Sequence, residues 1–405
     1  MLSFEQALEQ LLAAARPVAE TRILPLEAAA GRVLAEAQYS TVAVPPLDNS
    51  AMDGYAVRTA DVKAAGTRLP VSQRIPAGTV GGPLQPGTAA RIFTGAPIPA
   101  GADAVVMQEF CEHGGDGVVV NHIPELGEHI RRAGEDIAVG AEILATGTRL
   151  RPQDLALAAS TGLPQLPVHR RLRVAVFFTG DELRQPGEPL PPGAIYNSNR
   201  FAIRALLEGL NCEVRDLGGV PDDLEATRDA LRRAAGDNDL IVTSGGVSVG
   251  EEDHVKPAVE AEGRLNLWKI AIKPGKPLAF GEILGERGQG ERQSWFVGLP
   301  GNPVSSFVTF ALFLRPFILR LQGVRDVLPK RYPLRAAFEW QKPSPLCEFL
   351  RARLNADGEV ELYGHQGSGV MTSLCWGDGL AVKAPDRLIA RGDTVPFIPF
   401  SELLS

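Results

Sequence analysis

From Arg171 to about residue 325 the chain alternates short apolar runs with amphipathic ones, and no other feature constrains its fold as strongly. RLRVAVFF is a continuous apolar run of the buried-strand type that ends in Thr179-Gly180-Asp181-Glu182. NRFAIRALLEGL carries the spacing of a helix and is closed by Gly209 and Asn211. CEVRDLG reads as a strand, DDLEATRDALRRAAG as a second helix and DLIVTSGG as another strand. Strands separated by such helices need crossover connections, which predicts a mostly parallel sheet covered by helices on both faces.

The flanks read differently. Ser3 and Gln6 have capping-box spacing ahead of an apolar-periodic run, predicting a helix from Phe4 to about Ala15 that ends before Pro17. Between residues 46 and 135 short β-prone runs, Ala89 to Phe93, Ala104 to Met107 and Gly117 to Val120, are split by glycine-rich turns and predict an all-β segment. Pro152 to Ala159 is helix-like, and from Arg331 onward FLRARLN, VELYG and GLAVKA, with tight turns at Ala356-Asp357-Gly358 and Trp376-Gly377-Asp378, predict a small β domain. The expected division is a discontinuous N-terminal domain (1–45 and 136–171), an inserted β domain (46–135), an α/β domain (172–328) and a C-terminal β domain (329–405). A length of 405 residues agrees with that, at about 150 residues per domain.

Composition narrows the partners. A formal charge of -7 leaves no global basic field for nucleic acid, so an anionic ligand needs a local basic patch. Four cysteines without a CxxC pair argue against a disulfide framework or a thiolate zinc site. The first residues lack a secretory pattern. The greasiest stretch, Val304 to Leu314, stops at Arg315 and Pro316, short of the ~20 residues of a membrane span. The chain is expected to be cytoplasmic, with no membrane and no nucleic-acid partner.

Ligands of a parallel sheet bind beyond the carboxyl ends of its strands. Three segments fall there: Thr179-Gly180-Asp181-Glu182; Thr243 to Gly250 with Glu251, Glu252 and Asp253; and Gly298 to Pro303. SGGVSVG, holding Ser244, Gly245, Gly246, Ser248 and Gly250, can present backbone amides to a phosphate, or be only a tight turn. Pro303 suits the first turn of a helix whose N-terminal amides face an anion, and equally a purely structural helix. Lys269, Lys273 and Lys276 can converge on one phosphate-bearing ligand or line a solvated face. Carboxylates at Asp181 and Glu182, Asp222 and Asp223, and Glu251, Glu252 and Asp253 suit magnesium, whose ligands are oxygens. Asp222 or Asp223 is equally readable as the N-cap of the helix beginning at Leu224. In the β insertion, Asp48 to Ala56 and Arg91 to Ala96 offer donors and acceptors, as does RRAGEDI with Asp136.

DNSAMDGYA, RIFTGAPIP, RRAGEDI, FFTGDEL, TSGGVSVGEED, IKPGKP, GLPGNP and GHQGS, in that order, resemble the motif series of the molybdopterin molybdenumtransferase family, bacterial MoeA, which is similar to the gephyrin E domain. The resemblance implies an elongated four-domain homodimer with a molybdopterin-binding α/β third domain and a C-terminal β barrel. Its cleft is implied to lie between the third domain of one subunit and the second domain of the other. The implied reaction takes adenylylated molybdopterin and molybdate and yields molybdenum cofactor and AMP with Mg2+.

Carried over by position, Asp53, Thr94, Asp136, Glu182, Asp222, Asp253, Lys269 and Lys273 match functional positions of the family. Glu182 and Asp222 fall on the pterin or metal side. Thr179, Gly180, the SGGVSVG loop, Lys276, Pro300, Gly301, Asn302, Pro303 and Ser368 are the implied binding residues. Transient contacts with molybdopterin adenylyltransferase and cofactor-accepting enzymes are also implied. A tungstate-specialised relative, the adenylyltransferase itself and a non-catalytic scaffold are the alternatives.

Overall fold

A computed structural model describes residues 1–18, 20–246, 254–275, 277–287 and 290–404. Helix α1 (Phe4–Ala14) starts at the expected capping box, with Ser3 and Gln6 exchanging side-chain to backbone bonds, and buries Phe4, Ala7, Leu8 and Leu11. Strand β1 (Thr21–Pro25) follows. The insertion holds β2 (Gly54–Val57), β3 (Thr67–Ile75), β4 (Ala89–Ile92), β5 (Ala104–Met107), β6 (Cys111–Gly114) and β7 (Gly117–Val120). They form one sheet in the order β5-β2-β4-β3-β7-β6, antiparallel except for β3 beside β4.

The chain then returns through α2 (Pro152–Ser160) and β8 (Gln165–His169). Strand β8 pairs antiparallel with β1 from Thr21 opposite His169 to Pro25 opposite Gln165. Ala29 and Leu34 from before the insertion share a core with Leu144, Leu150, Ala158 and Val168 from after it. The two legs thus share a strand pairing and a core, with the β sheet inserted between them in the chain.

The central region contains β9 (Arg173–Thr179), α3 (Ser198–Gly209), β10 (Glu213–Val220), α4 (Leu224–Ala235), β11 (Leu240–Ser244), α5 (Val255–Glu262), β12 (Gly263–Lys269), β13 (Ile272–Lys273), β14 (Pro277–Arg287) and β15 (Gly290–Leu299). The sheet order is β10-β9-β11-β15-β14-β12. Its first three pairings are parallel and the two that add β14 and β12 are antiparallel. Side chains alternate along β9. Val174, Val176 and Phe178 enter the core shared with α1 and α3, while Ala175 and Phe177 enter the core under α4 and α5. A sheet buried on both faces explains why RVAVFF is apolar without a break.

The helical run after β15 is longer than the sequence suggested. It begins with α6 (Pro303–Thr309), widens to a π-type turn over Phe310–Leu314 and continues as α7 (Arg315–Leu321). Pro316 lacks an amide and would clash with the carbonyl one turn back, and a widened turn just before it is a way to carry a helix through such a residue. The resulting 19 residues are long and apolar enough to cross a membrane, yet 89% of their most apolar 18-residue stretch is buried inside the fold, as in a core helix.

Beyond it lie β16 (Tyr332–Arg335), β17 (Cys347–Leu354), β18 (Val360–Leu362), α8 (Thr372–Trp376), β19 (Gly379–Lys383) and β20 (Thr394–Pro399). The sheet runs β13-β17-β19-β20-β16, with β18 also on β17, so a two-residue strand from the central region is its edge. A single parallel bridge joins Ala336 to Val360. Where a turn was expected at Trp376-Gly377-Asp378, α8 supplies a helical turn that ends at Trp376.

Candidate active-site cleft

A cavity of about 1040 Å³ opens at the carboxyl ends of β9, β10, β11 and β15. Thr179, Gly180 and Glu182 enter it after β9, Asp222 after β10, Ser244, Gly245 and Gly246 from the end of β11, and Pro300 to Pro303 after β15. Lys273 comes from β13, and Gln366, Gly367 and Ser368 from the C-terminal domain. The three strand-end segments singled out in the sequence therefore meet, because parallel strands deliver their ends to one edge.

The loops are fastened to one another. Asn199, at the start of α3, donates through Nδ2 to Ser244 Oγ and to the Gly301 carbonyl, each at 2.8 Å. Ser244 Oγ in turn donates to the Pro300 carbonyl at 3.0 Å. Gly245 and Gly246 have φ of +97° and +63°, and a Cβ on Gly246 would stand 2.9 Å from Thr179 Oγ1 and 2.5 Å from Val255 Cγ2. Thr179 Oγ1 is buried and finds no hydrogen-bond partner among the described residues. It is a polar atom held beside a glycine turn at the cavity.

Two backbone donors expected to face an anion are already engaged. The Gly245 amide donates to the Leu299 carbonyl at 3.2 Å, and the Val304 amide, first in α6 after Pro303, donates to the Ser368 carbonyl at 2.9 Å. That second bond closes the C-terminal loop on the cavity. Arg351 anchors the same loop from below: it is 1% exposed, and its Nη2 donates to the Gly367 carbonyl at 3.1 Å. Its backbone amide donates to Gln366 Oε1 at 2.8 Å. Burial pushes its guanidinium down to about 10.

Of the lysines, Lys273 lines the cavity, with Nζ 3.3 Å from Glu348 Oε1. Lys269 is exposed at the end of β12 and is not among the lining residues. Lys276 lies outside the described residues, as do Ser248, Gly250 and Asp253. Asp223, not Asp222, caps α4, accepting from the Ala226 amide at 2.9 Å. Asp222 lines the cavity, and its own amide donates to Asp181 Oδ1 at 3.3 Å. Among the described residues no group of three or more His, Cys, Asp or Glu gathers as a metal site. Glu182 and Asp222 are still a donor set that fits magnesium, which commonly keeps waters and takes one or two carboxylates beside substrate phosphates.

Asp53, Thr94 and Asp136 are not in this cavity. Asp53 Oδ1 accepts from the Thr94 amide at 2.8 Å and from Thr94 Oγ1 at 2.7 Å, which holds its carboxyl below the usual range. Asp48 is pulled down likewise by the Ala133 amide and Arg132. Asp136 is exposed on the same loop system, its amide bonded to the Val44 carbonyl at 3.1 Å. Asp53 and Thr94 thus pair where β2 begins and β4 ends, while Asp136 lies beside Val44. Sequence reasoning missed Asn199, Gln366 and Glu348. The polar Asn197-Ser198-Asn199 run at the start of α3 was a visible signal for the first of them.

Three family models match in chain order. They are described as "MoeA N-terminal region (domain I and II)" over residues 2–162, "Probable molybdopterin binding domain" over 175–320 and "MoeA C-terminal region (domain IV)" over 333–400. The chain is 41% identical to the molybdopterin molybdenumtransferase of Haemophilus influenzae, with 100% of each chain covered. It is 36% identical to that of Nostoc, over 90% of this chain and 85% of the relative. The solved molybdopterin biosynthesis MoeA protein of Pyrococcus horikoshii superposes with a TM-score of 0.85 at 29% identity, covering 98% of this chain and 100% of that one.

Proposed function

The chain belongs to the molybdopterin molybdenumtransferase (MoeA) family, transferases of molybdenum-cofactor biosynthesis, and we propose that its cleft takes adenylylated molybdopterin and molybdate and releases AMP and molybdenum cofactor. One observation carries the assignment to the cleft. The ends of four central strands, the C-terminal loop at Ser368 and Lys273 line a single cavity.

The substrate is a phosphate-rich anion, and a second anion must sit beside it. Lys273 neutralises oxyanion charge as it develops, and the fastened loops hold the reacting groups in place, the two devices on which phosphoryl chemistry chiefly depends. Thr179 Oγ1, buried and without a partner among the described residues, is a donor for a ligand oxygen. Glu182 and Asp222 would hold Mg2+. When bound, the ion would neutralise phosphate oxygens of the pyrophosphate link.

Asp53, Thr94 and Asp136 join the site from a second copy of the chain. The homodimer reading is supported by their absence from the lining of their own chain's cleft and by the family resemblance. The division into 1–45 with 136–171, 46–135, 172–328 and 329–405 is our reading of the domains, and the Ala336–Val360 bridge favours closure of the last into a barrel. We also place the protein in the cytoplasm, meeting the adenylyltransferase and cofactor-accepting enzymes transiently. Purified protein incubated with adenylylated molybdopterin, Mg2+ and molybdate tests the activity. AMP and a cofactor that restores a molybdenum-dependent apoenzyme should appear together, and AMP without cofactor would overturn the reading.

A further inference from the structure

The cleft lysine stands at one end of a row of charges laid across the C-terminal sheet. Strand β13 pairs with β17 so that Lys273 is opposite Glu348, and β17 pairs with β19 so that Glu348 is opposite Lys383. Residues directly opposite in neighbouring strands project from the same face, so the register alone lines up ammonium, carboxylate and ammonium. Lys273 Nζ is 3.3 Å from Glu348 Oε1, and Lys383 Nζ is 3.7 Å from Glu348 Oε2.

The exposures differ along the row: 57% for the Lys273 side chain, 3% for Glu348 and 0% for Lys383. A buried ammonium is costly unless a carboxylate accompanies it, and beyond Glu348 the Lys383 amine reaches the Ala384 carbonyl at 3.4 Å. Glu348 therefore cannot swing away without stranding Lys383. Its other oxygen is a fixed anchor for a lysine whose four-carbon stem would otherwise sweep the cleft mouth.

We propose that Glu348 is a positioning residue for Lys273, locked in place by the buried Lys383. Two ammonium groups against one carboxylate leave the row with one excess positive charge beside the cavity, which suits an oxyanion. The inference rests on the reading of this cleft as an oxyanion-handling site. A purely structural Glu348, present only to neutralise Lys383, predicts different behaviour when both buried charges are removed together.

The test compares Glu348→Gln, Glu348→Gln with Lys383→Met, and each of these with Lys273→Ala. In the second variant no buried charge is left stranded, so folding is not what is measured. Acetylation of the Lys273 amine by acetic anhydride, read by peptide mass spectrometry, should speed up about threefold in the first two variants as the exposed pair is lost. Their turnover should fall about tenfold through loss of orientation. In the Lys273→Ala background the Glu348 change should cost no more than about twofold further, because the two residues act as a unit. Unchanged acetylation, wild-type turnover in the charge-free variant, or losses that multiply would overturn the proposal. An unmodified protein without turnover would instead remove the proposed function, while the acetylation rate would still decide the Glu348–Lys273 contact.

Discussion

Glu182 follows β9 and folds back over Gly180, where an added Cβ would lie 2.6 Å from its Oε2. The glycine thus leaves room for the carboxylate at the cavity wall. If Glu182 holds magnesium, Glu182→Gln keeps an oxygen but loses the charge. AMP release by that variant should then need about tenfold more Mg2+, with melting nearly unchanged. Superimposable magnesium titrations of the variant and the unmodified protein would reject the role. Asp53 gives a pH prediction. Its carboxyl is depressed first by the Thr94 amide and then by the Thr94 hydroxyl, so its bond to Thr94 is intact above the unfolded value and is lost as pH falls through the lower folded value. The Thr94 amide resonance should titrate with a midpoint below the ordinary 3.8 of an aspartate. A midpoint at or above 3.8 would contradict the hydrogen-bond geometry.

The segment from β12 to α6 shows what sequence spacing can and cannot say. Lys269 and Lys273 are four residues apart, which suggested convergence on one ligand. The first ends a strand of the central sheet and the second lies in the edge strand of the C-terminal sheet, so the chain changes sheets between them. The loops after β9, β11 and β15 were legible because apolar runs of strand length fix where a parallel sheet ends. Asn199, Gln366 and Glu348 were not, because each acts through a partner brought close by register or loop closure, as Glu348 does across β13, β17 and β19. Gly275 is the point of this segment where a positive φ and a close approach to a helix coincide. It has φ of +100°, and a Cβ there would stand 2.3 Å from Thr309 Oγ1 and 3.5 Å from the Ser305 carbonyl. Gly275→Ala should cost about 1–3 kcal/mol through backbone strain and the clash with α6. Adding Thr309→Ala should return part of that loss, since the clash is relieved and the strained φ is not. An unchanged melting temperature in Gly275→Ala would show that the turn is looser than these distances imply.

Among the described residues, Glu182, Asp222 and Lys273 line the cleft of the central sheet, while Asp53 and Thr94 sit together on the inserted sheet, outside that lining. The motif order pointed to both, and the resemblance implied that they meet only between subunits. The homodimer proposed above would combine them, with one composite site on each side of the two-fold axis. The most direct test mixes subunits. Asp53→Ala and Lys273→Ala chains, each strongly impaired alone, are unfolded together in equal amounts and refolded, and AMP release with cofactor formation is measured. With sites shared between subunits, half the dimers are mixed and each of these has one intact site, so activity should return to about a quarter of the unmodified level. If the mixture stays as inactive as its parents while unmodified chains regain full activity after the same treatment, the cleft is not completed by the Asp53 surface of a second copy.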